Sequence, residues 1–262
     1  MPFTTKNGLE YLTLSSFDEL GVQHGFFTRI GGVSPSPWGS LNVATSVGDS
    51  SENVIENRQR IMRIFNKSYD SIFDTWQEHS DIVKVSETPR PIAEPHQKGD
   101  SVVTSNPEVS LMMVFADCVP VIFYDPAKKV IAIAHAGWKG TVKHVVRRTV
   151  ESMQVTYGCN PRDIRAGIGP SIGADHYEIG EETAAQVRKN FSGSQDQVLI
   201  KRDGKLYFDM WQANYILLKQ KGLESIEKAN ICTACDIQKW YSHRAENGKA
   251  GRFAAVITIP ND

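Results

Sequence analysis

Cysteine is sparse in this chain, with four in 262 residues, too few for the disulfide framework of a small secreted fold. The longest apolar runs, such as LMMVFA (111–116) and VIAIA (130–134), fall far short of the roughly 18 residues that a membrane-spanning helix needs, so no membrane role is expected. Neither sign of charge prevails. The 29 Lys+Arg and 30 Asp+Glu leave a formal net charge of −1, which argues against a polyanion-binding surface and a nucleic-acid partner. The opening MPFTTKNGLEYLTLSSF holds no apolar stretch for a signal-peptide core, and a reduced, cytoplasmic protein is the expectation. No segment repeats and no low-complexity or Pro/Gly-rich linker divides the chain, so a single domain over 1–262 is expected. Histidine is scarce as well. Seven His with no His-x-His pair cannot supply the copper sites of a blue-copper oxidase.

What the chain does have is an ordinary globular balance, 40% hydrophobic and 23% charged, and a length that buries a large core, leaving roughly 11,000 Å² exposed. Short apolar runs predict strands at 11–17, 24–29, 81–87, 101–105, 111–116, 119–124, 129–135, 164–169, 206–210 and 253–259. Amphipathic periodicity predicts helices at 51–65, 141–158, 181–191 and 209–222, with Gly158 and Gly222 as stops. Strand runs mostly neighbour one another before a helix arrives, which favours an α+β plan over βαβ alternation.

The stretch LMMVFADCVPVIFYDPAKKVIAIAHAGWKGT (111–141) reads as a β-hairpin around the turn Asp125-Pro126-Ala127-Lys128. A four-residue loop there sets Tyr124 against Lys129 and Cys118 directly opposite His135, close enough to share a metal ion or a proton. Both faces are apolar, which predicts a sheet covered on both sides. Taken alone, the pair also fits a buried thiol and a capped strand end. His79 in TWQEHSD (75–81) adds a third donor. Two nitrogens and one sulfur with an open fourth position make a catalytic zinc pattern rather than a closed structural one. The Cys232-Thr-Ala-Cys235 pair lacks a second pair to complete a zinc ribbon and reads as buried and structural, with a redox or metal role as the alternative.

The segments FTRIGGVSPSPWGSLN (27–42), QEHSD (77–81), GDSVVTS (99–105), ADCVPVIFYDP (116–126), AHAGWKGT (134–141), GIGPSIG with YEIG (167–180), and CTAC, YSHR and GRFAAVI (232–257) resemble, in order, the bacterial YlmD/YfiH-like family. That family was formerly labelled multicopper polyphenol oxidase or laccase and is now described as zinc-containing purine nucleoside phosphorylase and adenosine deaminase. The resemblance implies a four-layer α/β/β/α sandwich with mixed sheets and zinc on His79, Cys118 and His135. Copper is an adventitious substitute there. It further implies phosphorolysis of adenosine, inosine, guanosine or methylthioadenosine and deamination of adenosine, with purine nucleoside and phosphate as small-molecule partners. Residues matching family positions near the site are Arg29, Asp117, Trp138, Glu178, His243 and Arg244. Glu78, Lys139, Asp175 and His176 depart from the common pattern. Nothing in the pattern sets an oligomeric state.

Each of these positions has a physical rationale. Arg29 and Arg244 offer guanidinium forks for phosphate, Trp138 a ring to stack on a base, and Asp117 or Glu178 a carboxylate to move protons. The same fold is shared with toxins that use a Cys-His pair. A cysteine hydrolase or amidase, with Cys118 as nucleophile and His135 as base, is therefore the competing reading, acting on a small amide such as a cell-wall precursor. A non-enzymatic scaffold predicts no tightly bound metal.

Overall fold

Alternation along LMMVF decides how the centre of the molecule is layered. The structure is a computed structural model that describes residues 2–259. Leu111, Met113 and Phe115 of one strand face inward between two sheets, while Met112 faces a helix on the outside, as the two-residue side-chain period requires.

The first sheet runs, in spatial order, β1 (Phe3–Lys6), β2 (Leu9–Leu12), β3 (Gln23–Phe27), β15 (Phe253–Thr258), β7 (Ser110–Phe115) and β4 (Ile72–Phe73). The second runs β14 (Ser225–Lys228), β10 (Arg165–Ile168), β8 (Val119–Asp125), β9 (Val130–Ala136), β6 (Ser101–Thr104) and β5 (Val83–Val85). A small third sheet holds β11 (Glu178–Ile179), β13 (Lys205–Phe208) and β12 (Leu199–Arg202). The pairs β4/β7, β5/β6 and β10/β14 are parallel, so both large sheets are mixed.

Helix α2 (Ser51–Ile64) covers the outer face of the first sheet, packing Ile61, Met62 and Ile64 on Phe27, Met112 and Val256. Phe26, Phe115, Phe253 and Ile257 meet Ile122, Ile131 and Ile133 between the sheets. On the far side Val119, Val121, Ala132 and Ala134 pack against α4 (Val145–Tyr157) and α7 (Met210–Gln220). The result is the expected four-layer α/β/β/α sandwich. Each fully buried aliphatic or Phe side chain in these layers contributes about 1.5–3 kcal/mol. The 10919 Å² of exposed surface matches the scaling for a folded chain of this length. Shorter helices α1 (Ser15–Asp18), α3 (Trp138–Val142), α5 (Glu181–Asn190) and α6 (Gln195–Val198) complete the set. No helix among the described residues is long and apolar enough to cross a membrane.

Local periodicity missed three turns of the chain. The 11–17 run is not one strand: after Leu12 it curls into α1, because the Glu227 carboxylate accepts the N–H groups of Ser15 and Ser16 at 3.2 and 2.9 Å and so holds the helix start. The 141–158 helix is two helices, since His144 takes a left-handed conformation (φ 65°, ψ 39°) between α3 and α4. The helix after the hairpin begins directly at Trp138, with Gly137 as its cap.

The hairpin register also differs from expectation. Asp125 stays in the strand and pairs with Val130, its Oδ1 accepting from the N–H groups of Ala127 and Lys128 at 2.9 and 3.0 Å. The loop therefore starts one residue later and closes on Lys129 in the left-handed region (φ 51°). His135 faces Pro120, not Cys118. A two-residue slip leaves every side chain on its face, so Cys118 and His135 still share one, as diagonal neighbours.

Candidate active site

The open end of the β8–β9 hairpin places Cys118, just before β8, next to His135 near the end of β9. The loop carrying His79 crosses this end on its way from β4 in the first sheet to β5 in the second. The ligand atoms of His79, Cys118 and His135 all lie within 4.8 Å of one another. Cys118 Sγ is 3.8 Å from His79 Nε2. The two rings meet edge-on, with centroids 5.0 Å apart.

Asp100, which the sequence reading passed over although GDSVVTS was part of the resemblance, organises this group. Its fully buried carboxylate accepts from the N–H groups of Glu78, His79 and Ser80 at 3.2, 3.0 and 2.6 Å. It also accepts from the Ser80 hydroxyl at 2.6 Å and lies 2.8 Å from His135 Nδ1. One carboxylate thus folds the His79 loop and orients the His135 ring, leaving its Nε2 for the site. Burial opposes the charge, but His135 and Ser80 outweigh it and hold Asp100 down to about 2.

Desolvation would likewise raise Cys118 and lower His135, yet each charge offsets the other's burial. His135 and His79 bring Cys118 down to about 6. The Cys118 thiolate and Asp100 lift His135 to about 9.

Backbone strain marks the same place. His79 (φ 60°) and Asp117 (φ 80°) are both left-handed without being glycine, a conformation that persists only where surrounding contacts fix it. Asp117 is fixed through its carboxylate, which accepts the Thr233 hydroxyl and the Arg244 N–H, both at 2.7 Å. Gly137 must be glycine, since a Cβ there would stand 2.8 Å from Cys118 Sγ and 2.9 Å from His79 Cδ2.

These residues open onto a cavity of about 460 Å³ whose walls include Asp117, Trp138, Tyr177, His243, Arg244 and Arg252, within the size range of small-molecule sites. Burial pushes the Tyr177 phenol well above its ordinary value and Cys118 adds to this, so Tyr177 is a neutral donor there. Arg244 lies with its guanidinium carbon 5.1 Å over the Tyr177 ring. Arg252 is a half-buried cation on the cavity wall, its Nη1 donating to the carbonyls of Ala250 and Gly251 at 2.8 and 2.9 Å. Burial lowers its pKa, against the pull of Cys118 and Asp117, but a guanidinium stays charged.

Two of the sequence-derived positions are not brought here. Arg29 lies outside the cavity walls, and its guanidinium is taken by the carbonyls of Gly39 (3.0 Å) and Ile237 (2.8 Å) and the Glu246 carboxylate (3.0 Å) while it stacks on Tyr241. Through its Nε and Nη1 it ties loops together away from the cavity. Glu178 is exposed on β11 and ion-paired with Lys205 at 2.8 Å; only its backbone carbonyl contacts a cavity residue, accepting from Arg244. The C-x-x-C pair is not buried either: Cys235 is exposed and Cys232 half-buried, both beside His176. Arg252 and Tyr177, by contrast, sat inside quoted segments, but a lone Arg before a strand and a lone Tyr carry no pattern that separates a cavity wall from a surface.

An αββα sandwich with a His/Cys/His group at the mouth of its central hairpin defines a class, and the comparisons place the chain within it. Residues 23–260 match the family described as multi-copper polyphenol oxidoreductase laccase, and the chain belongs to that family. It is 37% identical over 250 residues to a purine nucleoside phosphorylase of Deinococcus radiodurans, covering 95% of this chain and 94% of that one. It is 36% identical over 241 residues to the purine nucleoside phosphorylase YlmD of Bacillus subtilis, covering 89% and 87%. The crystal structure of YlmD from Geobacillus stearothermophilus superposes with a TM-score of 0.92 at 27% identity, over 99% of each chain.

Proposed function

We propose that the protein is a zinc-dependent purine nucleoside phosphorylase that also deaminates adenosine. The observation that carries this reading is the convergence of three donors, His79, Cys118 and His135, on one wall of a cavity that Arg252 also lines. Two imidazole nitrogens and a thiolate suit zinc. The 3.8 Å between Cys118 Sγ and His79 Nε2 is close to the roughly 3.6 Å that separates such donors around one tetrahedral ion. When bound, the ion supplies Lewis acidity and activates water.

The chain's own residues do the rest. Asp100 fixes the His135 ring and the His79 loop. Arg252 and Arg244 attract the phosphate dianion and hold it for attack at C1′ of the ribose, where the C1′–N9 bond breaks and the purine leaves with a proton. Trp138 and Tyr177 flank the base, and His243 lies at the rim. Asp117 positions Arg244 through its backbone and is not assigned to proton transfer. In deamination water adds at C6 and ammonia departs, a step with no need for the phosphate subsite. Names of relatives at 37% and 36% identity support the phosphorolytic half; the deamination rests on the resemblance read from the sequence.

One observation favours a second reading. A thiolate at about 6 beside an imidazolium at about 9 is also the resting state of a cysteine nucleophile. His79 argues against it, since a nucleophile needs one base and not a second imidazole on its sulfur. The test is to incubate adenosine and inosine with the metal-loaded protein, with and without phosphate. The proposal expects ribose 1-phosphate and free base only when phosphate is present, and inosine from adenosine in its absence. Hydrolysis of small amides by metal-free protein, with nucleosides untouched, would favour the cysteine hydrolase.

A further inference from the structure

A second group of ligand-type side chains lies outside the cavity walls. Asp175, His176, Cys232 and Cys235 bring a carboxylate, an imidazole and two thiols within 4.8 Å of one another. His176 Nδ1 is 3.7 Å from Cys232 Sγ, 3.6 Å from Cys235 Sγ and 3.1 Å from Asp175 Oδ1. One ring nitrogen carries either one proton or one lone pair, so hydrogen bonding can satisfy only one of these three neighbours. A cation among the four would serve all of them. The spacings are those of a tetrahedral zinc shell, roughly 3.6 Å for sulfur to nitrogen and about 3.3 Å for nitrogen to oxygen.

Two further features mark a built site. The Gly173 N–H donates to Cys232 Sγ at 3.2 Å, a bond that strengthens with thiolate charge. The group also packs tightly against Gly173, where a Cβ would come within 2.7 Å of Asp175 Oδ1 and 3.3 Å of Cys232 Sγ. We propose that Asp175, His176, Cys232 and Cys235 form a second, structural zinc site, closed by four protein ligands, that pins the 173–177 loop to the 232–235 turn. Two soft thiolates select zinc over magnesium or calcium. With no position left for substrate, the ion's role is to hold chain.

What it holds is the cavity wall. Tyr177 follows His176 and lines the cavity. Thr233, between the two cysteines, donates to Asp117 beside Cys118. The Ser171–Cys232 bridge carries the backbone pairing of the two segments, and the ion would join their ends.

The experiment separates this site from the His79 group by working in a Cys118→Ser background. Zinc content of C118S protein purified without chelator is compared with that of C118S/C232S/C235S, expecting one zinc per chain in the first and none in the second. In the unmutated chain, stripped of metal and given zinc alone, alkylation of Cys232 and Cys235 by iodoacetamide, followed by peptide mass spectrometry, should slow at least tenfold. Equal zinc content in the two variants, alkylation indifferent to zinc, or a Cys232–Cys235 disulfide in the native protein would each overturn the site. The first-site reading could fail with this one intact, since the zinc difference is read between two variants that both lack Cys118 and neither measurement reads activity.

Discussion

The His79–Cys118–His135 group and the Asp175–His176–Cys232–Cys235 group use similar donors in opposite settings. The first sits on strand ends between two sheets, with His135 buried and a fully buried Asp100 behind the His135 ring and the His79 backbone. The second sits on loops, with three of its four residues exposed. The first offers three donors facing a cavity; the second offers four and lies outside the walls of that cavity. The number of donors and what stands behind them, more than donor type, separate a place where chemistry can occur from a clasp.

The sharpest way to break this comparison is to remove one sulfur from each group. Cys118→Ser should lower kcat/KM for inosine phosphorolysis by on the order of 10³-fold, the several kcal/mol that a Lewis-acid centre supplies. Cys235→Ser should change it less than about tenfold. Comparable losses in both variants would erase the distinction.

Asp100→Asn tests what stands behind the first group. The amide cannot accept all five donors, and a loss of about 10–100-fold in activity or metal affinity is expected. It also carries an acid signature in metal-free protein. A carboxylate held down to about 2 contributes stability that is complete above the ordinary pKa of about 4 and is lost as pH falls toward 2. Urea midpoints measured from pH 5 to 2 should fall less steeply for the variant.

The smallest effects separate the two arginines. Arg252→Gln should raise the KM for phosphate by about tenfold or more while deamination stays within threefold, because a half-buried cation lining the cavity interacts strongly with an anion. Arg29→Gln should leave both reactions alone and cost about 1–3 kcal/mol of stability through its lost carbonyl and Glu246 bonds, read as a drop of several degrees in Tm. A selective phosphate defect in Arg29→Gln would return it to the site.

How much of this was legible follows the same division. The central strands were readable because they are buried on both faces and their apolar runs are unbroken, and the four-layer plan came with the resemblance. Strands β1, β11, β12 and β14 were not read, being short and mostly not fully buried. The three first-group donors were legible from residue type and hairpin position, even with the register two residues off, because a two-residue slip keeps the face. Asp100 was not, since a lone Asp before a strand looks like any turn residue until its five partners are folded onto it. Arg29 lies outside the cavity walls, a placement that a T-R-I-G-G string cannot show.

The central claim is that Cys118 holds a metal and is not the nucleophile, and alkylation tests it most directly. Iodoacetamide should label Cys118 slowly in the metal-loaded protein and much faster after a chelator. In the metal-free protein the rate should level off above about pH 6, where the thiolate forms. Activity lost to the chelator should return when zinc is restored before alkylation. Fast labelling that ignores the chelator, with full activity in metal-free protein, would contradict the account.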